Sequence, residues 1–376
     1  MSSSSRSQYV FRPVVPPFLL ERIAEHGGRG SQGNQGLALD HAVSSAARTL
    51  ATDRELVAGR GHARREASPS ARPVPTRPNR SVHDAQFQRD LPGVLVRGEG
   101  GPATGDAAAD EAYDGLGVTF AFFRDVYGRN SLDGNGLPLV ASVHYDRDYD
   151  NAFWDGERMV FGDGDGEVFG RFTASLSVVA HELAHGFTQY ASQLEYTGQS
   201  GALNESLSDV FGVLVDQFSR SQNSEDATWL VGEGLFLPAV QGRALRSMIE
   251  PGSAYDDDVL GRDPQPADMA GYVETTADNG GVHINSGIPN RAFALAAVEL
   301  GGPAWERVGQ VWFDVTIDPS ISSTIDFTGF AAATVRAAEE RFGTESDVRR
   351  AVAGGWTTVG VASEGQPGAE SAARRT

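Results

Sequence analysis

The pentapeptide His181-Glu182-Leu183-Ala184-His185 constrains this chain more than any other stretch. Imidazoles four positions apart share a face only on an α-helix, so the segment has to be helical for the two to act together, and one metal ion then binds both. Glu182 lies about 100° around that helix from His181, where it faces a water in the open coordination position without ligating the metal. A catalytic zinc wants a third protein ligand. Glu205 is the candidate: it stands twenty residues after His185 on the next helical pattern, across a loop at 196–201, and two antiparallel helices bring it close. Asp209, four residues further on the same face, is placed to accept the second ring N–H of a ligating histidine. The plain alternatives are a pair of core histidines and, for Asp209, a solvated helix charge.

Composition narrows the chemistry. Zero cysteines exclude disulfides, thiolate catalysis, iron–sulfur clusters and Cys-ligated zinc, so any metal uses His and carboxylate. A net charge of −19 argues against nucleic acid and against anionic membrane surfaces as partners. No stretch approaches the roughly 18 uninterrupted apolar residues of a bilayer-spanning helix. At 40% hydrophobic and 22% charged residues the composition is globular, and 376 residues exceed the usual single core, which predicts two lobes.

Charge divides unevenly. Residues 1–80 hold 12 Arg against 6 Asp and Glu, and the remainder 19 Arg against 44 acids. This favours a basic front lying against an acidic body, although composition alone more often means a solvated tail. The chain has no lysine, which reads as codon bias. The start lacks the apolar core and small-residue cleavage site of a secretory signal, because Arg12 and the prolines interrupt it. Helical patterns follow Pro16-Pro17 (Phe18, Leu19, Leu20, Ile23) and cover roughly 39–57. From 59 to about 80 the sequence is proline-rich, with Pro69, Pro73, Pro75 and Pro78, and almost without apolar residues; that is linker composition and an easy site for proteolysis.

From about 84 to 175 the pattern is strands and glycine loops, with one helix near 106–127 presenting Leu116, Phe120 and Phe123, and strand-like runs at 137–145 and 158–161. Helical patterns then dominate, at roughly 174–191, 203–218, 289–300, 303–314 and 327–342. The fold class is therefore α+β, a β-rich lobe followed by an α-helical lobe. The divisions are 1–78 for the front and linker, 79–175 and 176–360 for the lobes, and 361–376 for a disordered tail.

Beyond the HELAH pentapeptide, Asn151-Ala152-Phe153-Trp154, the FGDGDG run at 161–166, GALNESLSD at 201–209, Arg246-Ser247-Met248 and DNGGVHINSG at 278–287 occur in one order over most of residues 90–356. In these motifs the chain resembles the thermolysin-like zinc metallopeptidases, the gluzincins. PPFLLERIA at 16–24 is similar to the short propeptide motif of the protealysin-like subgroup.

The resemblance implies a two-lobed metallopeptidase with the active-site cleft between the lobes, made as a self-processed precursor cut between about 50 and 85. It implies His181, His185 and Glu205 as ligands of one Zn²⁺, Glu182 as general base, and His283 and Tyr196 as donors to the oxyanion, with Asp278 orienting His283. It implies Asn151, the Ala152 backbone and Arg246 as holders of the substrate main chain, and Phe169, Phe172, Val178, Val231 and Leu245 as the lining of an apolar pocket for the residue after the scissile bond. Taken alone, Tyr196 reads as a loop aromatic, His283 as a turn histidine, Arg246 as a surface charge and the pocket residues as core.

One departure concerns Ca²⁺. At the positions of the family's double calcium site stand Ser177, Thr228 and Leu230, with Asp216 and Glu233 still acidic, a poor cage for a cation that wants six to eight oxygens. The loop at 162–166 is another possible calcium site, which a tight turn explains equally well. The expected partners are peptide or protein substrates and the chain's own propeptide, with no nucleic acid and no membrane, and the chain is expected to be a monomer. The expected location is secreted, with leaderless export or the cytoplasm as the alternative. Two other functions remain open: a zinc-bearing binding module, against which the intact Glu182 speaks, and a non-peptidase zinc hydrolase, against which Asn151 and Arg246 speak.

Overall fold

Pro17 suits the first turn of a helix, where its missing N–H costs nothing, and helix α1 (Pro17–His26) starts on it. Ahead of it lies the two-residue strand β1 (Arg12–Pro13), and after it helix α2 (Asp40–Ala58). The computed structural model describes residues 11–26, 39–58 and 77–361. The linker expected at 59–80 and the tail expected at 361–376 lie almost wholly outside the described residues.

The described parts of the front, residues 11–26 and 39–58, do not stand off as a solvated tail. Val14, Val15, Leu19, Leu20 and Ile23 are buried in the same apolar cluster as the body, together with Ala42, Ala46 and Leu50 of α2. Side chains of this kind contribute about 1.5–3 kcal/mol each when taken from water, so packing holds the front in place and charge asymmetry is secondary.

The body opens with strands β2 (Arg80–Asp84) and β3 (Val94–Gly98), helix α3 (Ala107–Tyr127), and strands β4 (Leu139–Val143), β5 (Ala152–Trp154) and β6 (Met159–Phe161). Asp106 caps α3 by accepting from the Ala109 amide, and Leu116, Phe120 and Phe123 point into the core. The six strands form one mixed sheet in the order β1-β5-β6-β4-β2-β3. β1 pairs antiparallel with β5, Arg12 opposite Trp154 and Pro13 opposite Phe153, so the front supplies the last strand on what would otherwise be an open edge.

The second lobe is helical: α4 (Leu176–Tyr190), α5 (Gly198–Arg220), the short strands β7 (Leu230–Val231) and β8 (Arg246–Ser247), then α6 (Asp278–Asn285), α7 (Gly287–Leu300), α8 (Val308–Ile317), α9 (Phe327–Phe342) and α10 (Asp347–Thr358). Four helices differ from the sequence reading. α5 starts at Gly198, inside the loop expected at 196–201. α8 starts later than 303 because residues 303–306 form a turn, Glu306 N donating to Pro303 O at 3.2 Å. α6 begins with left-handed backbone at Asp278, Asn279, Gly280 and Gly281, which hides it from a periodicity search. α10 contains Gly354-Gly355, a weak helical signal, but a Cβ on Gly355 would sit 2.3 Å from Ala292 O, so the close approach to α7 requires glycine there. Among the described residues no helix is long and apolar enough to cross a membrane.

Candidate active site

α4 and α5 lie side by side and carry the titratable side chains inward. His181, Glu182 and His185 on α4 and Asn204, Glu205, Ser208 and Asp209 on α5 are all buried. The ligand atoms of His181, His185 and Glu205 lie within 4.8 Å of one another. Each imidazole is held from behind: His181 Nδ1 is 2.8 Å from Asp209 Oδ1, and His185 Nδ1 is 3.0 Å from Asn204 Oδ1 and 2.9 Å from Ser208 Oγ. With Nδ1 donating to these oxygens, the Nε2 atoms turn their lone pairs to the centre. His181 Nε2, His185 Nε2 and Glu205 Oε2 have no hydrogen-bond partner although buried. Two neutral ring nitrogens and a carboxylate oxygen, orphaned and convergent, are the donor set that zinc takes. Burial, reinforced by the neighbouring His181, pushes the His185 imidazole well below its ordinary value, which keeps it in the neutral, ligating form.

Glu182 is anchored through one oxygen, Oε2, which accepts from the Trp154 amide of β5 at 2.9 Å, while Oε1 is buried without a partner. Burial, and then the charge of Glu205, raise this carboxyl well above the usual range and make it a better proton acceptor than an exposed glutamate. Opposite it, the Tyr196 hydroxyl donates to Glu205 Oε1 and lies 3.3 Å from His283 Nε2. The left-handed turn at the start of α6 folds Asp278 back under His283: Asp278 Oδ1 is 2.6 Å from Nδ1, and Oδ2 accepts from the His283 amide at 2.9 Å. Burial opposes the charge on His283, but Asp278 and Glu205 outweigh it and lift the ring to about 9, so both its nitrogens carry protons.

Arg246 of β8 forks onto Asp209, Nε to Oδ2 and Nη2 to Oδ1, both at 2.8 Å, and Asn290 Nδ2 donates to Asp209 Oδ2 at 2.8 Å. Burial disfavours the Asp209 charge, but Arg246 and His181 overcome it and hold the carboxyl well below the usual range. Asp209 thus ties the metal triad to the guanidinium. Asn204 and Ser208 enter the sequence reading only as letters of GALNESLSD, with no role, and Asn290 not at all. The first two carried a signal, being polar residues four apart on the buried face that also presents Glu205.

The front of the chain lies in this cleft. Pro13 O accepts from His283 Nε2 at 3.0 Å, Val14 N donates to Ala152 O at 3.1 Å, and Val14 O accepts from Arg246 Nη1 at 3.0 Å. Val15 N donates to Asn151 Oδ1 at 2.9 Å, and Asn151 Nδ2 returns a bond to Val15 O at 3.2 Å. Val14 is buried in the apolar cluster that contains Phe169, Phe172, Val178, Val231 and Leu245. Arg12 lies over the Tyr196 ring, 5.2 Å from its centroid. Behind the strand, Asp53 of α2 accepts from Tyr149 Oη at 2.5 Å and from Asn151 Nδ2 at 3.1 Å. The two acids left at the positions of the doubted double calcium site share a cation already: Arg220 lies 3.2 Å from Asp216 and 3.8 Å from Glu233.

Two family models match in succession, the thermolysin metallopeptidase catalytic domain over residues 81–189 and the thermolysin metallopeptidase alpha-helical domain over residues 192–361. The chain belongs to the thermolysin family of metallopeptidases. It is a metalloendopeptidase of the protealysin-like group, and the border between the two matched domains falls just after α4. It is 50% identical over 349 residues to an extracellular metalloprotease of Pectobacterium carotovorum subsp. carotovorum, covering 93% of this chain and 96% of that one. It is 41% identical over 361 residues to the protease PrtS of Photorhabdus sp. (strain Az29), covering 93% and 92%. Among solved structures, the precursor of protealysin, a metalloproteinase from Serratia proteamaculans, superimposes with a TM-score of 0.81 at 49% identity, over 93% of this chain and 100% of that one.

Proposed function

We propose that this thermolysin-family chain is a zinc-dependent endopeptidase made as a latent precursor, cutting peptide bonds on the N-terminal side of hydrophobic residues with Glu182 as general base. The observation that carries the reading is the seating of Pro13–Val15: beside the triad of His181, His185 and Glu205, a stretch of main chain is bonded at successive peptide groups by His283, Ala152, Arg246 and Asn151. A peptide substrate would be gripped in the same extended pose.

A zinc ion on the three ligands supplies two things, an acidified water and a polarised carbonyl oxygen. Glu182 Oε1 takes the proton of the attacking water and later delivers it to the leaving nitrogen. His283 and Tyr196 donate to the oxygen that gains charge, and Asp278 keeps the imidazole protonated and aimed. Arg246 and Asn151 hold the carbonyls on the leaving side. Val14 is fully buried and apolar, and with Phe169, Phe172, Val178, Val231 and Leu245 as the pocket lining this supports selection of Leu, Ile, Val or Phe after the scissile bond, with modest discrimination per methylene.

In this reading residues 1–78 are the propeptide and linker, and the enzyme removes them itself. The extracellular naming of the Pectobacterium relative supports secretion. Calcium has no part in the double site, where Arg220 serves as the cation. The test is casein digestion by wild type and Glu182→Ala with zinc content measured in both. Lost digestion with retained zinc is expected, and equal digestion ends the mechanism.

A further inference from the structure

The bonds in the cleft select one peptide bond of the chain itself. Among the described residues of the front, the Pro13 carbonyl alone reaches the His283 ring; the Val14 carbonyl is taken by Arg246 and the Val15 carbonyl by Asn151. On the other side of the Pro13–Val14 amide, the Val14 N–H is committed to Ala152 O and the Val14 side chain is buried in the apolar cluster. β1 runs antiparallel to β5, and Glu182, whose partnerless Oε1 is the base, is fastened to the same strand through the Trp154 amide. An inhibitory segment bound out of register or with its polarity reversed would not match the Pro13 carbonyl to His283, the Val14 N–H to the strand and the next two carbonyls to Arg246 and Asn151 around a single bond. Here all three match.

We infer that the propeptide is held as a substrate in productive register and that the metal-loaded protein cuts its own Pro13–Val14 bond, removing residues 1–13 before and apart from any cut in the linker. The inference rests on the endopeptidase reading above. One water is consumed: its oxygen ends on the new Pro13 carboxylate, the C–N bond to Val14 breaks, and both water protons end on the Val14 amine, which leaves as an ammonium group. The cut does not unlatch the precursor. Val14 and Val15 stay bonded to Arg246 and Asn151, and Leu19, Leu20 and Ile23 remain buried, so the new N-terminus stays in the cleft as a product.

The test uses the full-length precursor loaded with Zn²⁺, followed by intact-mass spectrometry and N-terminal sequencing at several protein dilutions, with casein as a substrate supplied in trans. The expected result is a species beginning at Val14, formed at a rate independent of dilution, absent from Glu182→Ala and slowed at least about tenfold in Val14→Asp, which puts a charge into the apolar pocket. A zinc-loaded precursor that keeps residues 1–13 attached, while the body freed of its front by an added protease digests casein, overturns this inference alone. So does cleavage at the bond whose rate falls in proportion to dilution, since that is one molecule cutting another. A zinc-loaded precursor that never cuts itself overturns this inference, and the endopeptidase reading falls with it only if the body freed of its front by an added protease also leaves casein intact.

Discussion

Asp53 makes the docking of the propeptide depend on protons. It sits on α2, 7% exposed, with the neutral Tyr149 and Asn151 as its hydrogen-bond partners. Burial pushes its carboxyl from the ordinary 3.8 up to about 7, against the opposing pull of those two bonds. When the propeptide swings away, Asp53 returns to water and to the ordinary value. An acid whose value is raised in the docked state favours docking fully below the undocked value, and that contribution disappears as pH rises to the docked value. The window is therefore pH 3.8 to about 7, and within it undocking becomes easier by about 1.4 kcal/mol per unit, on the order of 4 kcal/mol across the whole range. Asp150, buried under Ser45 and Thr49 of α2 and facing Asp165 and Asp148, is shifted upward in the same direction, first by burial and then by Asp165. The assay is hydrogen exchange of the α2 amides between pH 5 and 7, corrected for intrinsic exchange, in a Glu182→Ala background that stops self-digestion. Wild type should open more readily with each unit, whereas Asp53→Asn, which keeps the shape without the charge, should show a shallower slope. Equal slopes in the two proteins refute the reasoning.

Three further outcomes follow from the site. Asp209→Asn removes the charge that faces both His181 and the buried Arg246; zinc affinity measured by chelator competition should fall about 10–100-fold and thermal stability should drop with it. His283→Ala removes a donor to the developing oxyanion and should cost about 2.7–4 kcal/mol, seen in kcat more than in KM for a peptide substrate. Because Arg220 bridges Asp216 and Glu233, added calcium should not raise the melting temperature of the zinc-loaded protein through these acids, and a calcium-dependent rise that Asp216→Asn abolishes would contradict the assignment.

The metal triad is legible in the sequence because helical geometry converts spacing into direction: His181 with His185, and Glu205 with Asp209, each sit four apart. Asn151, Arg246, Tyr196 and His283 carry no such period and come from separate elements; only the resemblance to a family marks them beforehand. Asn290 belongs to a helix whose buried face is otherwise mostly small and apolar, and its bond to Asp209 depends on how α7 lies across α5. β1 was invisible for a different reason. An Arg-Pro pair has no strand signal of its own, and it is extended because the unpaired edge of β5 offers it partners. Asp53, on a helix of mixed polarity, reads as a solvated charge until docking buries it.

The residues that grip the propeptide are those that would grip a substrate, and this limits how latency can be adjusted. Weakening Arg246 or Asn151 loosens the bound front and the working cleft together, since each holds main chain in both states. A latch that must yield without loss of turnover needs contacts that only the precursor makes. Leu19, Leu20, Ile23 and Asp53 supply such contacts from the propeptide side. Asp53 differs from the three apolar residues because its contribution changes with pH while theirs does not. Substituting Asp53 should therefore shift the pH at which the precursor opens and leave kcat/KM of the freed body unaltered, whereas Asn151→Ala should change both. If Asp53→Asn left the pH at which the precursor opens unchanged, the separation between latch and machinery argued from these contacts would fail.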